Sequence, residues 1–211
     1  MRSQKNIIET YDKIAANYAA HYMDELDHKP LDRLLLRDFA AENKGKGTIL
    51  DIGCGPGQTT KFLNDEGCTD IIGTDLSPVM ITEAKRINPQ LNFEVADALR
   101  FQYNTNTFAA AVAFYAIVNL DYPIIKTAFT EINRVLKPGA PFLFSFHSGD
   151  EKVHIDELLD KKVNIDFYFL DVDTILSHLK EACFTVTDTL VRYPYPQEYP
   201  SQRAYIKAIK E

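Results

Sequence analysis

From residue 48 onward, short β-branched apolar runs alternate with stretches whose apolar residues recur at helical spacing, a pattern that predicts βαβ units on a parallel sheet. The strand candidates are residues 48–51, 70–75, 91–95, 108–114 and 141–146. Helix starts are marked between them: Ser77-Pro78 supplies an N-cap followed by proline, and Pro123 opens a stretch that ends at Lys137-Pro138-Gly139. A further helix begins near Gln58. Ahead of the sheet, residues 7–22 and 31–39 read as helices, and in the second Leu31, Leu34, Leu35 and Phe39 fall near one face that is expected to pack. After the fifth strand a polar stretch, residues 147–166, breaks the alternation before a helix at 173–181 and two strands at 184–191 and 203–210. The loop between those strands, residues 193–200, is rich in proline and tyrosine and of a length that often carries function.

The chain has 211 residues, enough for one sizeable core and too few for two ordinary domains, so a single domain over 1–211 is expected. Thirty acidic against 23 basic side chains give a net charge of −7, a field that repels phosphate backbones; no nucleic-acid partner is expected. Cys54, Cys68 and Cys183 are odd in number and form no CxxC pair, which argues against a disulfide framework or structural zinc and fits a reducing cytoplasm. No apolar leader opens the sequence, and the longest apolar run, residues 108–118, is shorter than the roughly 20 residues of a membrane span. No membrane partner is expected.

Candidate chemistry concentrates after the first strand. Ile49-Leu50-Asp51-Ile52-Gly53-Cys54-Gly55-Pro56-Gly57 places three alternate glycines between a strand and a helix, where a tight turn lets a ligand approach the backbone. In open α/β sheets this crevice beyond the strand carboxyl ends is where ligands bind. Gly73-Thr74-Asp75 closes the next strand and sets a carboxylate about 20 residues on, placed to accept from both ribose hydroxyls. These segments resemble motifs I and II of the class I S-adenosylmethionine-dependent methyltransferases, a likeness that extends over about residues 48–146. A nicotinamide-dependent oxidoreductase, the competing reading, ordinarily shows GxGxxG with a helix start aimed at a pyrophosphate; the spacing here is GxGxG. A third reading is a regulatory module that binds the cofactor without catalysis.

The resemblance implies a doubly wound, mostly parallel seven-stranded α/β sheet of Rossmann-like type. It divides the chain into an N-terminal helical cover (1–45), a cofactor-binding core (46–146) and an acceptor-side segment with a C-terminal strand pair (147–211). It also implies S-adenosylmethionine as cofactor. Carried over residue by residue, Gly53, Cys54, Gly55 and Gly57 form the turn, Asp75 takes the ribose, and Asp97 accepts from the adenine amino group. Ala98 donates a backbone N–H to the ring, with Leu99 beside it, while Leu76, Met80 and Phe114 supply apolar surface. Asp51 orients the turn or the methionine ammonium. Tyr11, Tyr18 and Arg33 reach the methionine end, Arg33 through a bidentate fork.

An Asn/Asp-Pro-Pro-aromatic motif is missing at Phe114-Tyr115-Ala116-Ile117, which disfavours adenine amines and glutamine amides as acceptors. A small-molecule acceptor is expected, in a pocket formed by the N-terminal helices, residues 147–169 and residues 193–203. Tyr115, Tyr168, Tyr193 and Glu198 are in its lining. His147, at the carboxyl end of the fifth strand, is the candidate base near neutral pH, with Tyr115 the other candidate catalytic residue. A metal on His147, Glu151 and His154 is conceivable from spacing, but no metal is expected. The chain is expected to act as a monomer or homodimer.

Overall fold

A computed structural model describes residues 2–211, with side chains described from Gln4 onward. The chain begins with α1 (Arg2–Tyr22), a 3-10 turn at Glu25–His28 and α2 (Pro30–Asn43). There follow β1 (Ile49–Ile52), α3 (Gln58–Asp65), β2 (Ile71–Asp75), α4 (Pro78–Ile87), β3 (Asn92–Val95), β4 (Ala110–Phe114), α5 (Tyr122–Val135) and β5 (Pro141–Ser148). Then come β6 (Lys152–Leu158), β7 (Lys161–Tyr168), α6 (Val172–Glu181), β8 (Phe184–Arg192) and β9 (Gln202–Lys210).

Seven strands form one sheet in the order β3-β2-β1-β4-β5-β9-β8. β1 through β5 are mutually parallel, and β9 runs antiparallel between β5 and β8. Strands at the centre are buried on both faces, as a parallel sheet sandwiched by helices requires, which is why β4 reads as an unbroken apolar run and β1 as one interrupted only by Asp51. The order reverses direction between β1 and β4, and the crevice at that switch point opens at the strand carboxyl ends. Helix starts follow the expected chemistry: Ser77 Oγ accepts the Met80 N–H at 3.0 Å, and Asp121 and Asp171 cap α5 and α6 in the same way.

Two apolar layers hold the helices to the sheet. On one face Leu50, Ile52 and the even positions of β5 (Phe142, Phe144, Phe146) pack with Ile125, Phe129 and Ile132 of α5 and with Ile175 and Leu179 of α6. On the other, Ile49, Val112 and Leu143 pack with Leu36 and Phe39 of α2 and Leu63 of α3. The ring centroids of Phe142 and Phe144 stack 4.7 Å apart.

Two expectations are corrected. Residues 147–166 are not a polar interruption: most of them belong to β5 and to an antiparallel hairpin of β6 and β7, a separate two-stranded sheet. Val153 and Ile155 oppose Phe167 and Ile165 at period two, and the turn residues Leu159 and Asp160 both adopt positive φ, 50° and 61°. That mirror-image turn is usually written Asn-Gly, so Leu-Asp hid it. The hairpin is held because it packs on α1, where Leu158, Leu159 and Val163 meet Ile14, Ala15 and Met80, and Asn17 donates to the Leu159 carbonyl at 2.9 Å. The buried stripe of α2 also differs: it runs Asp32, Leu36, Phe39, Ala40 and Asn43, while Leu34 is exposed. A fully buried carboxylate belongs to this stripe because partners from β8 and β9 satisfy it, as described below. Among the described residues no helix is long and apolar enough to cross a membrane.

Candidate functional site

The carboxyl ends of the parallel strands, the start of β9, α1 and the β6–β7 hairpin enclose a cavity of about 710 Å³. The turn after β1 is its floor. Gly53 has φ 66°, and a Cβ there would stand 2.5 Å from the Ala116 Cβ, so the turns after β1 and β4 touch only because this residue is glycine. Gly55, φ 53°, faces the cavity, where a Cβ would find its nearest neighbour 3.8 Å away.

The Gly55 N–H donates to Asp75 Oδ2 at 3.0 Å, and the Ser77 N–H donates to Oδ1 at 2.8 Å. The backbone of the glycine turn and this carboxylate therefore face one cleft. Burial pushes the Asp75 carboxyl up, and its two N–H partners work in the opposite direction. After β3, Asp97 accepts the Leu99 N–H at 2.9 Å and the Gln4 amide at 3.0 Å. Leu76, Met80, Ala98, Leu99 and Phe114 line the same space, and α1 contributes Tyr11 and Tyr18. The Tyr11 hydroxyl donates to Asn119 Oδ1 at 2.7 Å, and burial raises both phenols above their ordinary range.

Four of the expected cofactor residues stand outside the lining. Arg33 pairs with Asp27 and lies over the Phe62 ring on the outer surface; Lys29, one helical turn earlier, lines the cavity in its place. Asp51 turns to α3, accepting the Thr60 hydroxyl at 2.6 Å, and burial pushes its carboxyl up to about 7. Cys54 is packed with Ile81, Ala84 and Phe93, its thiol pushed up by burial. Gly57 caps α3 at φ 93°, where a Cβ would meet the Phe93 ring at 2.7 Å; that glycine serves packing.

His147 lines the cavity, its Nδ1 2.8 Å from Ser201 Oγ and its ring stacked on Phe169. Its expected basicity near neutral pH does not hold. Burial, followed by the charges of Arg203 and Lys29, lowers it to about 3, so the imidazole stays neutral. Tyr115 follows β4 in the left-handed region, φ 56°, a costly conformation for a non-glycine residue. Its hydroxyl contacts Asp32 Oδ2 and the Tyr205 hydroxyl, each at 3.2 Å, and burial first, then Asp32, raises its pKa. Glu198 also lines the cavity, whereas Tyr168 and Tyr193 do not. The trio His147, Glu151 and His154 is not assembled: His154 bonds Asp166 and Asp156, and among the described residues no group of three or more His, Cys, Asp or Glu could hold a metal.

A polar network beneath Tyr115 had no signal in local spacing. The Tyr205 hydroxyl donates to Asp32 Oδ1 at 2.6 Å, Arg192 reaches the same oxygen at 3.4 Å, and Arg192 grips Glu198 bidentately at 2.6 and 2.8 Å. Its members come from α2, β8, β9 and the loop before β9. A carboxylate in an apolar helical stripe, at Asp32, was the one available hint.

Fold and cleft together define an α/β nucleoside-type cofactor domain with carboxylates at the ends of its second and third strands. A family model described as a methyltransferase domain matches residues 49–139. An uncharacterised protein of Methanocaldococcus jannaschii is 32% identical over 145 residues, 68% of this chain and 53% of its own length. A malonyl-acyl-carrier-protein O-methyltransferase of Enterobacter lignolyticus is 25% identical over 74% of this chain and 64% of its own. The chain thus spans between about half and two thirds of the length of these curated relatives. The solved S-adenosylmethionine-dependent methyltransferase of Clostridium acetobutylicum superimposes with a TM-score of 0.67 at 18% identity, covering 92% of this chain and 98% of the other. Residues 49–139 thus match the methyltransferase-domain family, and the chain shares the fold of the solved S-adenosylmethionine-dependent methyltransferases.

Proposed function

We propose that this protein transfers a methyl group from S-adenosylmethionine to a small-molecule acceptor held over the carboxyl ends of β4 and β5 and the start of β9. The observation that carries the reading is the single cavity shared by Gly55, Asp75 and Asp97 at one end and by Tyr115, His147 and Arg203 at the other. The first end suits the cofactor: Asp75 would take the ribose hydroxyls and Asp97 the adenine amino group, both by accepting hydrogen bonds. Gly55 lines the cavity with Tyr18 and Gln58 beside it, and Gln58 Oε1, buried without a hydrogen-bond partner among the described residues, is an acceptor for the methionine ammonium.

The cofactor supplies a methyl group already activated by its sulfonium, so the chain's task is alignment and exclusion of water. Phe114, Val118, Phe167 and Phe169 provide apolar walls for that. His147 and Tyr115 stay uncharged at neutral pH and serve as hydrogen-bonding and packing groups; the acceptor brings its own nucleophilic lone pair. The name of the Enterobacter relative, a malonyl-acyl-carrier-protein O-methyltransferase, is compatible with an acceptor that presents a small organic group.

Calorimetry with S-adenosylhomocysteine tests the cofactor end. Asp75→Ala should weaken binding about 10–100-fold, the loss of charge-assisted bonds of about 1.5–3 kcal/mol, and unchanged affinity would remove Asp75 from the ribose contact. Methyl-labelled S-adenosylmethionine incubated with a fractionated cell extract tests the acceptor. Label in the small-molecule fraction is expected, and label confined to macromolecules would overturn the reading.

A further inference from the structure

Because β9 runs against its neighbours, its beginning lies at the cavity mouth, and Arg203 pairs in register with His147 at the end of β5. Side chains of β9 alternate between faces: Ala204, Ile206 and Ala208 enter the core, so Arg203 and Tyr205 project to the other side. Arg203 lines the cavity although only 3% of it is exposed.

Its hydrogen bonds all leave from Nη1, to the Tyr199 carbonyl at 3.2 Å, to Ser201 Oγ at 2.7 Å and to the Ser201 carbonyl. Nε is buried without a hydrogen-bond partner among the described residues, and Nη2 donates to none of them. Those two nitrogens form the edge of a guanidinium that accepts a carboxylate side-on. The nearby carboxylates are committed. Glu198 gives both oxygens to Arg192 and takes the Tyr195 N–H, leaving its Oε1 3.9 Å from Arg203 Nε. Glu25 holds Lys29 at 2.6 Å and Gln58 at 3.1 Å, and Asp32 reaches Arg192 and Tyr205. The nearest carboxylate, Glu198, stands 3.9 Å off and is shared with Arg192, so this buried guanidinium keeps hydrogen-bonding capacity that an anion from the cavity would fill.

Resting on the small-molecule reading, we infer that Arg203 is the docking point for a carboxylate on the methyl acceptor. A single guanidinium suits a monoanion better than a dianionic phosphate, since Lys29 is engaged by Glu25, and Arg192 by Glu198 and Asp32. The positive field is already felt by His147, whose protonation is opposed by Arg203 after burial. Val153, Ile155, Leu158 and Phe167 beside this end give the acceptor an apolar body. Octanoate is therefore a fair probe.

The test titrates octanoate, 1-octanol and octyl phosphate by calorimetry into the full chain saturated with S-adenosylhomocysteine. Octanoate should bind at least about ten-fold tighter than either comparator, and Arg203→Met should remove that advantage while cofactor-product affinity stays within about two-fold. Should Arg203→Met fail to fold, Arg203→Lys, which keeps the charge and loses the fork, should weaken octanoate by a smaller factor. Octanol or octyl phosphate binding as tightly as octanoate, octanoate insensitive to both variants, or no octanoate binding up to about 10 mM would each overturn the inference. Any of these removes the carboxylate alone; the small-molecule reading stands or falls on where the methyl label goes.

Discussion

Asp51 couples the stability of the glycine turn to pH. Its carboxyl is almost fully buried between β1 and α3, where burial outweighs the 2.6 Å Thr60 hydrogen bond and Asp75 adds repulsion, so it titrates at about 7 instead of 3.8. The unfolded chain releases this proton near its ordinary value while the folded chain keeps it, so the folded state binds more protons throughout the interval. Stability contributed through Asp51 is therefore greatest at low pH, falls as pH rises from about 4 to about 7, and is level above that. A displacement of about three pH units at about 1.4 kcal/mol each corresponds to roughly 4 kcal/mol across the window. Asp51→Asn keeps an oxygen for Thr60 and has no charge to bury. Urea unfolding of both proteins between about pH 4.5 and 8 should show the variant gaining on the parent with rising pH, by up to roughly 3 kcal/mol over that range. A difference that stays constant to within about 1 kcal/mol, or that changes in the other direction, would refute the assignment of the raised carboxyl to Asp51.

Asp32→Ala leaves Arg192 and the Tyr205 and Tyr115 hydroxyls short of a buried partner, and should cost about 3–5 kcal/mol, seen as a melting temperature lower by about 6–20 °C. A shift below about 3 °C would show the network to be energetically idle. Gly53→Ala forces a Cβ to 2.5 Å from Ala116 at a positive φ, so S-adenosylhomocysteine affinity and thermal stability should both fall; preservation of both would show that the turns after β1 and β4 can separate freely.

Legibility in the sequence followed the range of the interactions. The parallel strands and their helix caps were readable because burial on both faces demands continuous apolar runs and because caps are local. The hairpin of β6 and β7 was not, since Leu159-Asp160 lacks turn chemistry and its support comes from α1. Glycines and carboxylates at strand ends were placed at the cavity because a strand fixes where its last residue points; Asp51 and Gly57 fell to the packing side of the same turn. Arg33 and Lys29 are both cations at the start of α2, and which one faces inward is decided by partners such as Glu25 and Asp27, not by spacing. Asp32 and Tyr205 are 173 positions apart, beyond any local pattern.

The alternation of β5 has a consequence for how this protein tolerates change. Its even positions are the phenylalanines of the core, while Ser145, which holds the Tyr115 backbone, and His147 occupy odd ones. Toward the carboxyl end of the strand, past Leu143, core packing and chemistry are thus written on opposite sides. Point replacements can alter either property separately, but deleting one residue from β5 would slip the ladder with β9 and send His147 inward as Phe146 swung out, abolishing both at once.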